Sequence, residues 1–397
     1  MKRGAIIVGT VMLLLAVGLL IAWATSPDPR YNIASFEDKP LQSTIAPLEE
    51  AVTLAQFRDS RGVTHTILVT GFAGETVIGV DLVAMGADPA VDPFAALASL
   101  PYVPNSASDI ASAPTITIAV SDLLASGSSG AQHIGTGTNF PEHAEEANSA
   151  SVFQFPKFGT ATPARTQVKA APGILLDYEV ELCMRFDRDI ASPADFDAAV
   201  KGIFLCGDFT NRNALVELAD PDNLDSGSGF SDAKSGPDFF PTGPFLVIPK
   251  DWSSFVRKLR MTTSVNGEPR QDARGGEMTL DFRQLTEKAL ADMQQPRFLY
   301  QGEYTSLAED GKIGAGMTLM SGTAEGTIFT PPTRGDLIEG VASYIASGGP
   351  FSKRGLVETA KATFIENENS SEHFLQPGDK VQYRSSCLGS IEVKVIG

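Results

Sequence analysis

Acidic residues inside an apolar strand place the strongest constraint on how this chain can fold. The segment Leu175–Met184 predicts a β-strand, and side chains alternate between the faces of a strand, so Glu179 and Glu181 would share one face. Two adjacent carboxylates repel each other unless a cation lies between them. A third acid, Asp208, follows the apolar run Gly202–Cys206, which indicates the end of a second strand. Three such oxygen ligands suit Mg²⁺ or Mn²⁺ better than zinc. The simpler interpretation of the two glutamates is the solvated face of an antiparallel sheet, with no metal site.

Seven short motifs follow one another between residues 137 and 379. They are Gly137–Glu146, Leu176–Leu182, Gly207–Arg212, Lys234–Pro244, Val265–Gln271, Gly322–Gly326 and Leu375–Asp379. Each resembles a segment of the fumarylacetoacetate hydrolase family, and together they stand in the family's order. The chain is therefore similar to this family over roughly residues 131–397. The resemblance implies the family's distorted β-roll or barrel, within a mostly β, α+β fold class with short helices.

The resemblance also implies roles for individual residues. The three carboxylates described above correspond to the family's metal ligands. His143 becomes the base that activates water and Glu146 the carboxylate that orients it, and one helical turn would bring the two together. Lys234 becomes a cation beside the metal and the leaving enolate, and Arg212 and Thr323 become contacts to a substrate carboxylate. The implied reaction is hydrolysis of a C–C bond in an acylpyruvate-like or related 3-oxo acid.

Some positions depart from the family's pattern. Leu215 stands where fumarylacetoacetate hydrolases have glutamine, Phe140 where tyrosine is usual, and Gly207 where asparagine is usual. These changes argue against the classical substrate. Lys157 resembles a family lysine, with a structural role as the alternative. Two further functions stay open: a hydratase, decarboxylase or isomerase of a 2-oxo acid on the same site, and a non-catalytic, membrane-tethered binding protein.

The N-terminus predicts a membrane segment within residues 1–25. Lys2 and Arg3 precede the apolar run Ala5–Ala24, and about 20 apolar residues are enough to span a bilayer. We expect a single-pass anchor through residues 5–24, with the N-terminus cytoplasmic and the catalytic domain outside the cytoplasm, in the periplasm if the cell is bacterial. The alternative is a signal segment cleaved near Ala24, which would export a soluble protein.

The rest of the chain predicts two domains. Residues 26–125 contain an extended spacer and several short β-branched runs, which indicate a small β-rich domain. The Ser/Gly segment 126–130 reads as a linker, and residues 131–397 as the catalytic domain. Within it we expect helices over 193–200 and 280–293. An insertion at about 332–374 has a helical apolar pattern.

Composition restricts the partners. A net charge of −17 argues against a nucleic-acid partner, because phosphate binding needs a basic surface. The expected partners are a small oxo-acid substrate, the membrane and, by family analogy, a second copy in a homodimer. The three cysteines are not expected to form a disulfide framework, and Cys183 and Cys206 read as buried small apolar residues.

Overall fold

The computed structural model describes residues 2–27, 29, 31–149 and 151–397, and only the backbone of residues 2–9 and 11. The α-helices in this part of the chain are α1 (Lys2–Ala24), α2 (Pro93–Ala98), α3 (Pro141–Glu146), α4 (Pro193–Ala198), α5 (Arg212–Leu218), α6 (Phe230–Lys234), α7 (Trp252–Lys258), α8 (Phe282–Ala291), α9 (Arg334–Ala346) and α10 (Leu356–Ser371). The strands are β1 (Ala51–Arg58), β2 (Thr64–Ala73), β3 (Thr76–Asp81), β4 (Thr115–Ala119), β5 (Gln132–Gly137), β6 (Phe153–Phe158), β7 (Arg165–Lys169), β8 (Leu176–Asp177), β9 (Val180–Phe186), β10 (Lys201–Gly207), β11 (Thr210–Asn211), β12 (Leu246–Pro249), β13 (Arg260–Val265), β14 (Glu268–Arg274), β15 (Phe298–Tyr300), β16 (Glu303–Thr305), β17 (Leu319–Met320), β18 (Lys380–Ser385) and β19 (Ser390–Ile396).

The largest sheet joins the N-terminal strands to the strands of the predicted catalytic domain. Its ten strands run in the order β4-β3-β2-β1-β12-β10-β9-β17-β5-β6. The junction is the antiparallel pair β1–β12, in which Val52 lies opposite Ile248. One buried cluster crosses this junction and includes Leu54, Phe204 and Met320. The strands before residue 126 therefore share their core with those that carry the acidic residues.

A second sheet has five strands in the order β14-β13-β18-β19-β7. Its β13–β14 hairpin turns at Asn266 and Gly267, which have φ values of 53° and 86°. Asn-Gly is the preferred pair for such a two-residue turn. Among the described strands neither sheet closes on itself. A closed barrel is therefore wrong for this chain, whereas the mixed α+β class is correct.

Two of the expected helices lie where the sequence predicted them. Ser192 begins α4, and its side chain accepts a hydrogen bond from the backbone N–H of Asp195. Asp281 begins α8 with a reciprocal pair of hydrogen bonds to Gln284. In both helices a polar residue at the N-cap fixes the first turn. α4 also joins β9 to β10, the two strands on which the site is built.

By compactness the chain divides into two units. The sheet unit comprises residues 33–327 and 375–397 and contains both large sheets. The helical unit comprises the residues up to 32 together with 328–374, and it contains α1, α9 and α10. The predicted inserted helix is confirmed as α9, but its partner α10 was not foreseen. The predicted domain boundaries group the chain differently and stay predictions.

In the part of the chain that the structure describes, no helix is both long and apolar enough to cross a membrane. The transmembrane helix predicted over residues 5–24 is thus not supported.

Candidate metal centre and catalytic site

The strand that carries the acidic pair is interrupted at the site. The predicted strand Leu175–Met184 is divided into β8 and β9, with Tyr178 and Glu179 between them. At the break the backbone N–H of Val180 donates to Oε1 of Gln271, 3.1 Å away. Alternation along one regular strand therefore does not explain how the carboxylates meet.

Pairing between β9 and β10 brings the third carboxylate to the other two. In this antiparallel pair Cys206 lies opposite Glu181, and the backbone N–H of Asp208 donates to the carbonyl oxygen of Glu179 at 2.9 Å. One oxygen from each of the three acids lies within 4.8 Å of the others. Glu179, Glu181 and Asp208 are only 4 %, 0 % and 1 % exposed. The interpretation as a solvated sheet face is therefore wrong, and the predicted acidic cluster is confirmed.

Two buried lysines lie against this cluster. Nζ of Lys234, at the end of α6, is 2.7 Å from Oε2 of Glu179 and 3.0 Å from Oδ2 of Asp208. Nζ of Lys157, on β6, donates to Oδ1 of Asp208 at 2.6 Å. Burial lowers the pKa of Lys157, and the Asp208 carboxylate opposes that shift. Lys157 is thus part of the site rather than a distant structural residue.

The two predicted substrate contacts, Arg212 and Thr323, also lie at the site. Nε of Arg212 donates to Oδ2 of Asp177 at 2.8 Å, and Nη2 donates to Oε1 of Glu179 at 2.9 Å. The hydroxyl of Thr323 donates to the carbonyl of Val180 and accepts from the side chain of Gln271, each at 2.9 Å. These protein contacts orient both side chains. A role in substrate binding stays a prediction.

His143 and Glu146 form a pair on the short helix α3. Nδ1 of His143 is 2.8 Å from Oε2 of Glu146, and Oε1 of Glu146 accepts the backbone N–H of Gly326 at 2.8 Å. An ionised carboxylate can only accept a hydrogen bond, so Nδ1 of His143 carries the hydrogen. In the neutral imidazole, Nε2 then keeps its lone pair. Gly326 has φ +95°, and a Cβ there would lie 2.0 Å from the carbonyl oxygen of Arg270. Only glycine therefore fits this position and keeps the loop against Glu146.

The pKa values of Glu179 and Glu181 are shifted in opposite directions. Burial favours protonation of Glu179, but Lys234, Arg212 and His143 outweigh it and lower the pKa of Glu179 to about 2. Burial, with Asp208 and Glu179 adding to it, raises the pKa of Glu181 well above its usual range. Glu179 is therefore ionised at neutral pH, whereas the surroundings of Glu181 favour its protonated form.

The donor set fits a divalent cation. Oε2 of Glu181 accepts the backbone N–H of Gly322 at 2.9 Å, but its Oε1 is buried and has no hydrogen-bond partner among the described residues. Oδ2 of Asp208 also lacks a hydrogen bond of good geometry, although the Lys234 ammonium is close enough for an ion pair. Buried unsatisfied carboxylate oxygens are costly, and a hard cation would satisfy them. Glu179, Glu181 and Asp208 are the residues that would hold it.

The departure from the family pattern at Gly207 has a structural counterpart. A Cβ at this position would lie 2.6 Å from Cε2 of Tyr383 and 2.9 Å from Cγ of Pro241. The Tyr383 ring is fully buried there. Gly207 thus leaves room for an aromatic ring where a larger residue would collide. Leu215 and Phe140, the other two departures, are both buried.

Sequence reasoning missed two features of the site. Asp177 is fully buried against Arg212, and its place in the run Asp177–Tyr178–Glu179–Val180–Glu181 was the available signal. Cys183 and Cys206 form a disulfide between β9 and β10, so the prediction of two unpaired cysteines was wrong. Both are fully buried, as expected, and Cys387 is free. The disulfide joins the two strands that carry Glu181 and lead to Asp208.

A cavity of about 220 Å³ lies next to the motif residues. Phe140 and Glu142 border it from the segment that carries His143, and Ala324 and Glu325 border it from the loop that contacts Glu146. The remaining lining residues are Ser35, Phe36, Glu37, Asp272, Ala273 and Glu277. Five carboxylates thus surround this cavity, which makes it a poor place for an anionic group.

Fold and site together define an α+β protein with a buried three-carboxylate centre beside a histidine–glutamate pair. The sequence matches the family model Fumarylacetoacetate (FAA) hydrolase C-terminal over residues 132–396, and the chain therefore belongs to this family. Among curated proteins, none matches the sequence.

Solved structures share the fold at low identity. Fumarylacetoacetate hydrolase from psychrophilic Exiguobacterium antarcticum is 17 % identical, with a TM-score of 0.51 over 87 % of this chain and 99 % of that one. 2-Hydroxyhepta-2,4-diene-1,7-dioate isomerase from Mycobacterium marinum is 16 % identical, with a TM-score of 0.50 over 87 % and 98 %. Since a hydrolase and an isomerase share it, the fold alone does not select the reaction.

Proposed function

We propose that this protein is a divalent-metal-dependent hydrolase that cleaves a C–C bond in an acylpyruvate-like 3-oxo acid. The observation that carries the proposal is the buried carboxylate cluster of a chain in the fumarylacetoacetate hydrolase family, with an oriented histidine on the same site. The charge of His143 contributes to the lowered pKa of Glu179, so the histidine can act electrostatically on the cluster.

The metal would be Mg²⁺ or Mn²⁺, held by Glu179, Glu181 and Asp208. When bound, it would supply a Lewis acid that draws electron density from the 2-oxo acid end of the substrate. Arg212 holds Glu179 through one oxygen and Lys234 holds it through the other. The chain's own contribution here is a rigid set of donors that needs no rearrangement.

The His143–Glu146 pair would activate water. Nε2 of His143 takes a proton from a water molecule, and the oxygen of that water forms a bond to the distal carbonyl carbon. Glu146 accepts the Nδ1 hydrogen throughout and stabilises the positive imidazolium. Because Glu146 is itself fixed by Gly326, the ring keeps one orientation during the transfer.

The C–C bond then breaks, and its electron pair passes to the 2-oxo acid fragment. That fragment takes a proton to give a methyl or methylene 2-oxo acid, and the other fragment leaves as a carboxylic acid. The Lys234 ammonium, 2.7 Å from Glu179, would stabilise the developing negative charge. Water is consumed once, and two products form.

The acid-lined cavity beside the site would select the acyl group of the substrate, which is the part remote from the 2-oxo acid. Glu142 and Glu325 on its wall would repel a second carboxylate, whereas the Phe140 ring favours an apolar chain. We therefore favour substrates with a neutral acyl group over substrates with two carboxylates. This preference agrees with the loss of the family's glutamine at Leu215.

The test is an assay of acylpyruvates with Mg²⁺ or Mn²⁺, in which both the 2-oxo acid and the carboxylic acid are quantified. Asp208→Asn should remove activity together with metal binding. Glu145→Gln is the matched control, because Glu145 is exposed on the same helix as His143. Two products in equal amounts, the 2-oxo acid and the carboxylic acid, support hydrolysis. A single product would replace it with isomerase or hydratase chemistry, and release of CO2 with decarboxylase chemistry. A parent chain that binds no divalent metal would favour a non-catalytic binding protein.

A further inference from the structure

The helical unit carries most of the exposed apolar surface of the chain. Of the 28 large apolar side chains that are exposed among the described residues, 16 lie in this unit. The sheet unit is several times longer and holds the other 12. Single exposed apolar residues are ordinary, but a concentration of this kind marks a surface that another phase or molecule covers.

The apolar side chains of α1 point in every direction. Met12, Leu13, Leu14 and Leu15 are consecutive, and they are 63 %, 65 %, 66 % and 59 % exposed. Successive residues of a helix are about 100° apart, so these four cover its whole circumference. One flat protein surface can cover only one side of such a helix. Surrounding lipid chains can cover all sides at once.

A second apolar surface lies on α9 and the turn that follows it. Leu337, Val341 and Ile345 are four residues apart, lie on one side of α9 and are 58 %, 44 % and 67 % exposed. The turn to α10 carries Phe351, which is 96 % exposed, and the first turn of α10 carries Val357, which is 68 % exposed. Uptake of a phenylalanine that is almost entirely in water into an apolar phase strengthens binding by about tenfold or more.

Both apolar surfaces extend towards the same end of the helical unit. The hydroxyl of Ser26 donates to Thr333 at 3.1 Å, and Nε1 of Trp23 donates to Glu339. The residue earlier in α1 thus contacts the residue later in α9, so the two helices are antiparallel. The N-terminal part of α1 thus points the same way as the C-terminal end of α9. Phe351 follows that end directly.

Charge is distributed unevenly along the hairpin of α9 and α10. Lys353 and Arg354 follow Phe351 in the turn, and Arg354 forms an ion pair with Glu358 at 3.6 Å, whereas Glu366, Glu368 and Glu372 are at the far end of α10. On a chain with a net charge of −17, a basic pair beside an exposed aromatic ring is an exception. Such a pair complements anionic lipid headgroups, to which each basic residue contributes roughly a fivefold gain in binding.

We propose that the helical unit binds the surface of a bilayer that contains anionic lipid. The hairpin tip, defined as residues 348–357, places Phe351 and Val357 among the acyl chains and Lys353 and Arg354 among the headgroups. The exposed apolar side chains of α1 from Met12 onwards enter the same layer. The contact is independent of the reaction proposed above, since no residue of the sheet unit takes part.

Flotation of the full-length protein with vesicles tests this contact. The vesicles are phosphatidylcholine alone, or phosphatidylcholine with about one third phosphatidylserine. Replacing both Lys353 and Arg354 by glutamine should weaken binding to the anionic vesicles roughly 25-fold and leave the neutral vesicles unaffected. Phe351→Asp should weaken binding to both by about tenfold or more. Circular dichroism would verify that each variant stays folded.

Two control variants lie in the sheet unit. Tyr304, 71 % exposed, matches Phe351, and Arg61, whose side chain is 77 % exposed, matches the basic pair. Tyr304→Asp and Arg61→Gln should bind like the parent. Equal flotation of parent and tip variants would overturn the proposal. A lipid-free dimer that Phe351→Asp dissociates, seen by light scattering, would also overturn it, because the tip would then bind a second copy.

Discussion

Binding of a divalent cation should release one proton, and that proton should come from Glu181. The site contains four buried carboxylates, Asp177, Glu179, Glu181 and Asp208, and their ion pairs involve three cations, Lys157, Lys234 and Arg212. One negative charge is therefore in excess if all four acids ionise. The raised pKa of Glu181 removes that excess by keeping one proton. A metal ligand must be deprotonated, so the incoming cation displaces it.

The size of the effect follows from this count. Below the raised pKa of Glu181, the apparent metal affinity should increase about tenfold for each pH unit, because one proton is exchanged for each ion. Metal-free stability should change in the opposite direction. Glu181 has a higher pKa in the folded chain than in the unfolded chain, so the folded form binds the extra proton. The free energy of unfolding then falls as pH rises above 4.5, the ordinary pKa of a glutamate in the unfolded chain.

Calorimetric titration of Mg²⁺ or Mn²⁺ in buffers with different ionisation enthalpies measures the proton directly. The observed enthalpy plotted against buffer enthalpy should have a slope of about one proton per ion. Glu142→Gln should keep this slope, whereas Glu181→Gln should lose most binding and, without metal, be more stable than the parent at neutral pH by about 1–3 kcal/mol. Parent binding with a slope near zero would refute the reasoning, since Glu181 would then already be ionised.

Three further predictions concern the surroundings of the cluster. His143→Ala should keep metal affinity within about twofold but lower kcat roughly 10²–10⁴-fold, and full activity in a turnover assay would reject His143 as the base. Replacing Cys183 and Cys206 together by alanine should destabilise the fold by about 3 kcal/mol, because the disulfide closes a loop between residues 23 positions apart. The same change should weaken metal binding. Chemical denaturation would measure the stability and calorimetry the metal affinity, each with and without reductant. Unchanged metal affinity would show that the disulfide does not position the ligands. Gly207→Ala should cost about 1–3 kcal/mol in chemical denaturation because its Cβ meets the Tyr383 ring, and Tyr383→Leu should recover part of that loss if the collision is the cause.

The clustering of Glu179, Glu181 and Asp208 was predictable because chain order and strand pairing already limit it. Asp208 follows β10 directly, and β10 pairs with β9 in antiparallel register, so the end of one strand must meet the start of the other. The break before Val180 was not predictable in this way. It depends on Gln271, a residue more than 90 positions away in the chain, which accepts the backbone N–H that a regular strand would have used.

The disulfide was missed for a related reason. Cys183 and Cys206 each lie in an apolar strand, and an apolar strand suits an unpaired cysteine as well as a bonded one. The deciding quantity is the register, which places Cys183 opposite Phe204 and Cys206 opposite Glu181, so that the two sulfurs approach on a diagonal. A shift of one residue would have put the two sulfurs on opposite faces of the sheet. The same register brings Asp208 to Glu179, so the disulfide and the acidic cluster are two consequences of one pairing. Any change that slips β10 against β9 should therefore impair both together, and a variant that loses the metal while it keeps the disulfide must act on the side chains and not on the register.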